Sequence, residues 1–160
     1  MQPYRVVFLC MGNICRSPTA QGVFRHKLRE AGLGARIHVD SAGTHDYHVG
    51  EAPDMRSQRH ARQRGYDLSD LRARALDAVD FESADLLLVM DEGNFALAAR
   101  RSPPQYRPKL RRLTEFCRLY QAHEVPDPYS GGAQGFEQVL DLIEDACEGL
   151  LEHLRRELGA

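Results

Sequence analysis

Residues 84–90, ADLLLVM, are almost continuously apolar. A strand with one wet face alternates apolar and polar residues. An unbroken run is what a strand needs when helices cover both faces of a parallel sheet. YRVVFLC (4–10) reads as a second buried strand, rich in β-branched and aromatic residues, and ARIHVDSAG (35–43) as a third. Helical stretches alternate with them. Residues 17–31 carry Val23, Phe24, Leu28 and Ala31 at helical spacing, with Ser17 as expected N-cap, Pro18 in the first turn, and Gly32 and Gly34 at the end. PDMRSQRHARQRG is a helix opened by Pro53-Asp54 and stopped by Gly65. Another helix starts within DEGNFALAARR. The last, Phe136 to Leu158, has Phe136, Val139, Leu140, Ile143, Cys147, Leu150, Leu151 and Leu154 on one side. A fourth, edge strand falls within PKLRRLTEF (108–116), and VPDPYSGGAQG (125–135) is loop. The expected fold is α/β: a four-stranded parallel sheet, doubly wound, with helices on both faces.

In such sheets the ligand site lies beyond the C-terminal ends of the strands, at a topological switch point. Cys10 stands at such an end. The loop after it, MGNIC, leads into a helix start at Arg16-Ser17-Pro18. Backbone N–H groups converging at a helix N-terminus make an anion site. Arg16 adds a planar fork for two oxygens of a tetrahedral oxyanion. The stretch has no lysine and no nucleotide-binding glycine pattern. The field that binds an oxyanion also stabilises a thiolate, so Cys10 is expected to be ionised at neutral pH and to attack a bound phosphoryl group in line. Ser17 is placed to donate a hydrogen bond to the departing sulfur. Alone, a cysteine ending a strand is an apolar filler and an arginine at a helix start a solvated charge; the pair at this spacing, with Gly12 between them, points to chemistry. The leaving oxygen needs a proton. Asp127, stiffened by Pro126 and Pro128 and followed by Gly131 and Gly132, is the candidate, although an ordinary Asp-Pro turn has the same composition.

Composition sets the remaining bounds. The chain has 160 residues, 42% hydrophobic and 28% charged, which suits one domain with a real core. A net charge of −2 provides no field to draw it to nucleic acid or an anionic membrane, and no apolar run approaches the about 20 residues of a membrane helix. The start, MQPYRVVFLC, lacks the features of a signal peptide, so a cytoplasmic monomer, with weak self-association as an option, is expected. Cys10, Cys15, Cys117 and Cys147 form no C-x-x-C pair, and His45 and His48 near the presumed pocket mouth have no third ligand; neither metal nor cofactor is expected. Arg100, Arg101, Arg107, Lys109, Arg111 and Arg112 read as a solvated basic face.

CMGNICRSP with a downstream DPYSGG, and VDSAGT at 39–44, resembles the low-molecular-weight protein tyrosine phosphatases over nearly the whole chain. The resemblance implies a phosphatase acting on protein phosphotyrosine, and on small aryl phosphates, through a cysteinyl-phosphate. Cys10 would be the nucleophile. Arg16 and the amides of Met11, Gly12, Asn13, Ile14, Cys15 and Arg16 would hold the phosphate. Asp127 would be general acid, then general base. Asn13, Ser17 and Ser41 would brace the loop, Asn13 by tolerating a left-handed backbone. Tyr47 and Tyr129 would wall the aryl slot, and Cys15 would trap an oxidised Cys10 as a reversible disulfide. The chain departs from the family at two places: Asp70 stands where many members have a loop-bracing histidine, putting negative charge behind the thiolate, and Ser130 where many have a second tyrosine. Three other readings are weighed: an arsenate reductase on the same fold, which needs further redox cysteines that VMDEGNFALAARR lacks; a phosphotyrosine-binding module without catalysis; and a Cys10–Cys15 redox sensor.

Overall fold

The computed structural model describes residues 2–129 and 131–160. Four strands form one sheet: β1 (Tyr4–Cys10), β2 (Ile37–Gly43), β3 (Leu86–Val89) and β4 (Leu110–Arg112). The order is β2-β1-β3-β4 and every pairing is parallel. The helices are α1 (Arg16–Glu30), α2 (Met55–Gln63), α3 (Ala78–Ser83), α4 (Glu92–Arg101) and α5 (Ala133–Leu158). The chain leaves β1 outward to β2, then returns across it to β3. The order therefore reverses at β1, which opens a crevice at the C-terminal ends of β1 and β3.

Strand alternation sorts the core onto two faces. Val6, Phe8 and Cys10 pack with Val23, Phe24 and Leu28 of α1 and with Val139, Ile143, Leu150 and Leu154 of α5. Val7 and Leu9 pack on the other face with Phe81 of α3 and Ala98 of α4. Phe8 meets Phe24 edge to face, ring centroids 6.0 Å apart. Each such side chain, fully buried, contributes about 1.5–3 kcal/mol. The apolar runs thus have a double role: β1 is covered on both sides, and its last residue, Cys10, is delivered to the crevice on the α1 face.

Three local expectations change, and one short helix is added. Helix α1 starts at Arg16, with Cys15 in the cap position and no side-chain cap bond; Ser17 is not the N-cap, because its hydroxyl is drawn inward to Cys10 and Asn13. Only Leu110–Arg112 of 108–116 is strand; tight 3₁₀ turns flank it at Pro104–Lys109 and Leu113–Phe116. Helix α5 begins at Ala133, inside the segment read as loop. Helix α3 has six residues, too few to show a period, and is fixed by Asp77 accepting from Val79 N–H and Asp80 accepting from Asp77 N–H. The basic face is largely engaged: Lys109 donates to the carbonyls of Phe81 and Glu82, Arg111 pairs with Glu115, and Arg112 with Glu92. Among the described residues no helix is long and apolar enough to cross a membrane.

Candidate active site

The loop between β1 and α1 is clamped by its carbonyls. Cys10 C=O accepts from Thr44 N–H (2.9 Å), Met11 C=O from His45 N–H (3.0 Å) and Ile14 C=O from Asp54 N–H (2.8 Å). Gly43 makes the first two possible, since a Cβ there would sit 2.9 Å from the Met11 oxygen. Among the described residues, no backbone N–H from Met11 to Arg16 donates to a protein acceptor. With the carbonyls turned outward and held, those N–H groups are free to serve a bound anion at the start of α1.

Asn13 is the pivot of the loop. Its φ is +58°, the one left-handed non-glycine residue among those described. Its Nδ2 donates to Ser17 Oγ (2.7 Å) and Ser41 Oγ (2.9 Å), and its Oδ1 accepts from Arg74 N–H (3.0 Å). Ser41 in turn donates to Gln21 Oε1 (2.6 Å). Since Ser17 Oγ accepts from Asn13, its own hydrogen is left for Cys10 Sγ, 2.9 Å away. Ser17 N–H also points at the sulfur, at 3.4 Å. Cys10 is therefore buried on the apolar core yet faces two donors.

Arg16 lies beside it with a side chain only 3% exposed. It donates to Asp91 Oδ2 (2.7 Å) and Val125 C=O (3.0 Å), and its other terminal nitrogen is 3.8 Å from Asp127 Oδ2. Burial works against the guanidinium charge; Cys10, Asp91 and Asp127 outweigh it and hold the group above its ordinary value. Asp127 is 45% exposed at the rim, one carboxylate oxygen accepting from Tyr129 N–H (3.0 Å). Cys15 is buried against Ile14, Ala73 and Phe136, and burial pushes its thiol up to about 12, so it stays protonated.

These groups surround one cavity of about 120 Å³ lined by Cys10, the loop, Arg16, Tyr47, His48, Asp127 and Tyr129. Tyr47 (67% exposed) stacks on His45 at 5.0 Å, and Tyr129 (48% exposed) approaches His48 at 6.3 Å. A deep floor with a thiol and free amides under aromatic side chains suits a tetrahedral oxyanion carrying an aromatic ring.

The structure brings Cys10, Met11–Arg16, Ser17, Ser41, Tyr47, Asp127 and Tyr129 together. Asp70 is elsewhere: its exposed carboxylate forks to Arg25 (2.8 and 2.9 Å), which holds it below the usual carboxylate range, and it neither braces the loop nor sits behind the sulfur. The bond expected from that position comes instead from the Arg74 backbone. Ser130 lies outside the described residues. The sequence alone did not single out Asp91, Gln21 or Arg56; His48, expected near the pocket mouth, does line the cavity. Asp91 carried a usable signal, since it directly follows the apolar run of β3 and so shares the strand-end level of Cys10.

A family model described as low molecular weight phosphotyrosine protein phosphatase matches residues 5–160. The chain belongs to that family. The low molecular weight protein-tyrosine-phosphatase of Streptomyces coelicolor is 42% identical over 159 residues, covering 97% of this chain and 96% of that protein. The human low molecular weight phosphotyrosine protein phosphatase is 35% identical over 150 residues, covering 92% and 93%. A crystal structure of a protein tyrosine phosphatase from Entamoeba histolytica, with Hepes in its active site, superposes with a TM-score of 0.92 at 38% identity, covering 98% of both chains. As a low molecular weight phosphatase, the chain is a hydrolase, and a cysteinyl-phosphate intermediate is general to this family.

Proposed function

We propose that the protein dephosphorylates phosphotyrosine in protein substrates, with its site residues dividing the work as follows. The free amides of residues 11–16 and Arg16 hold three phosphoryl oxygens and stabilise the charge they carry in the transition state. The Cys10 thiolate attacks phosphorus; the S–P bond forms, the P–O bond to tyrosine breaks, and Asp127 gives its proton to the leaving phenolate. Water then attacks the phosphocysteine, losing a proton to Asp127, and the S–P bond breaks with Ser17 donating to the departing sulfur. Tyr47 and Tyr129 bracket the ring, which favours phosphotyrosine over shorter phosphoserine. The observation that carries this reading is the convergence, in one cavity, of a buried thiol with two donors, free loop amides, a buried arginine and a rim carboxylate.

Cys15, in the same loop, would condense with a sulfenic acid formed on Cys10, giving a disulfide and water and halting oxidation before the sulfinic stage; burial, which raises its thiol, slows that attack and keeps Cys15 itself from being oxidised. All four cysteines are free thiols, which fits a reducing, cytoplasmic setting. The test is hydrolysis of para-nitrophenyl phosphate and a phosphotyrosine peptide, with chelator present, by wild type, Cys10→Ser and Asp127→Ala. The reading expects no turnover from the first variant and a fall of about 100-fold or more from the second. Wild-type turnover by Cys10→Ser would overturn it.

A further inference from the structure

The segment that carries Asp127 is fastened at only a few points. At its start Val125 is buried, its N–H donating to Met90 C=O (2.8 Å) and its carbonyl accepting from Arg16. Beyond it Pro126, Asp127 and Tyr129 are exposed and Pro128 is buried. Among the described residues Asp127 accepts one hydrogen bond, from Tyr129 N–H within the same turn, and its other oxygen faces Arg16 at 3.8 Å. Across residues 126–132, among the described residues, one side chain from outside donates hydrogen bonds to the segment's backbone, and it is Arg56.

Arg56 stands in the first turn of α2, whose N-terminus rests on the phosphate loop. Asp54, the cap of α2, donates its N–H to Ile14 C=O and accepts from Arg56 N–H (2.8 Å) and Ser57 N–H (3.3 Å). The Arg56 guanidinium grips the same carboxylate, at 3.2 Å from Nε and 3.1 Å from a terminal nitrogen. From there it reaches over the acid segment. It donates to Tyr129 C=O (2.6 Å) and Gly131 C=O (3.5 Å) and lies over two rings, Tyr129 at 5.6 Å and Phe136 at 4.8 Å. One planar group thus ties the anchor of the phosphate loop to the backbone beside the acid, to one aromatic wall and to the start of α5.

We propose that Arg56 is a positioning residue for the general acid: by bridging Asp54 and the Tyr129 carbonyl it sets the height of Asp127 above Cys10. This rests on the reading of Asp127 as that acid. Arg56 is already occupied by Asp54 and two carbonyls, so it acts through the segment and not on the substrate. Lysine could keep the charge opposite Asp54 but could not keep the fork and the stack together.

The test uses kcat/KM, which reports the step in which the leaving group departs, for phenyl phosphate and 2,4-dinitrophenyl phosphate. The first leaves as a basic phenolate that needs a proton; the second barely does. Wild type is compared with Asp127→Asn, Arg56→Ala, Arg56→Lys and the Asp127→Asn/Arg56→Ala double variant. Arg56→Ala is expected to lose about 10- to 100-fold on phenyl phosphate and under about twofold on the dinitrophenyl ester, as a displaced acid would. Arg56→Lys falls between it and wild type, and reads the same selectivity if the alanine variant does not fold. In the double variant, removing Arg56 costs less than about twofold beyond Asp127→Asn, because the acid it serves is gone. Equal losses by Arg56→Ala on both esters, or weakened inhibition by inorganic phosphate, would mean that Arg56 supports the phosphate loop or binds substrate, and would overturn the proposal. So would wild-type behaviour of Arg56→Ala beside a selective loss in Asp127→Asn. If Asp127→Asn shows no selectivity, the acid assignment itself falls and the proposal with it.

Discussion

Replacing Asn13 by alanine removes the centre of the loop in one step, and its cost can be worked from the structure. Three hydrogen bonds go, to Ser17, Ser41 and the Arg74 N–H. At about 1 kcal/mol net each they contribute about 3 kcal/mol. Alanine must also adopt the positive φ of +58° that asparagine tolerates, at a further cost of about 1 kcal/mol. The expected loss is about 4 kcal/mol, a large part of the about 5–15 kcal/mol that holds a domain folded. In thermal melts it lowers Tm by about 8–16 °C, since a domain of this size loses roughly 2–4 °C per kcal/mol. Asn13→Gly separates the two contributions: it loses the same bonds but not the φ strain, so urea titration should find it about 1 kcal/mol more stable than Asn13→Ala. Both variants leave the Ser17 hydroxyl free to turn from Cys10, so kcat for phenyl phosphate drops by about tenfold or more. If Asn13→Ala costs under about 1 kcal/mol, or Asn13→Gly is the less stable of the two, the reasoning about this pivot is wrong.

Three other perturbations test separate parts of the account. Gly149→Ala sits inside α5, where alanine ordinarily gains about 1 kcal/mol over glycine; here its methyl would overlap the backbone carbonyl oxygen of Phe116, so urea titration should show a loss of about 2 kcal/mol or more, and a gain would refute the packing. Asp91→Asn keeps the N-cap of α4 but removes the charge facing the buried Arg16, and is expected to cost about 2–3 kcal/mol; an unchanged urea midpoint would mean that the Val125 carbonyl suffices. Burial alone would raise the Asp145 carboxylate, but N–H groups of Arg118, Tyr120 and Leu119 more than offset it and hold the group below the usual carboxylate range. A folded value below the unfolded one, about 3.9, means that this contribution is complete above about pH 4 and is lost as pH falls through the folded value. The stability gap between wild type and Asp145→Asn should accordingly narrow below about pH 4; a gap constant from pH 7 to strong acid would contradict the assignment.

What the sequence made legible follows from the range of the forces involved. The runs VVFLC and LLLV announce doubly covered strands because burial on both faces leaves no room for alternation; the order β2-β1-β3-β4 comes from the folded chain, since connection rules narrow the topologies without choosing one. The Cys10–Arg16 loop was visible because its parts are consecutive. Ser17 misled as a helix cap, since what captures its hydroxyl is a sulfur seven residues earlier. Asp70 misled for the converse reason: its partner Arg25 is 45 residues away, and nothing local announces that pairing. Asp91 and Arg56 act across 75 and 73 residues, on Arg16 and Tyr129, and only the folded chain brings them into play.

The central claim is that phosphate passes through a covalent bond to Cys10. The measurement that tests it most directly is rapid quenching into alkaline denaturant, where a phosphocysteine survives, during turnover of an aryl phosphate, followed by peptide mass spectrometry. Wild type, and more strongly an Asp127→Asn variant slowed in hydrolysis of the intermediate, should carry one phosphoryl group on the peptide holding Cys10, on its sulfur; Cys10→Ser should carry none there and release no phenol. A phosphoryl group trapped on another residue, or steady turnover with no phosphocysteine at any quench time, would contradict the account.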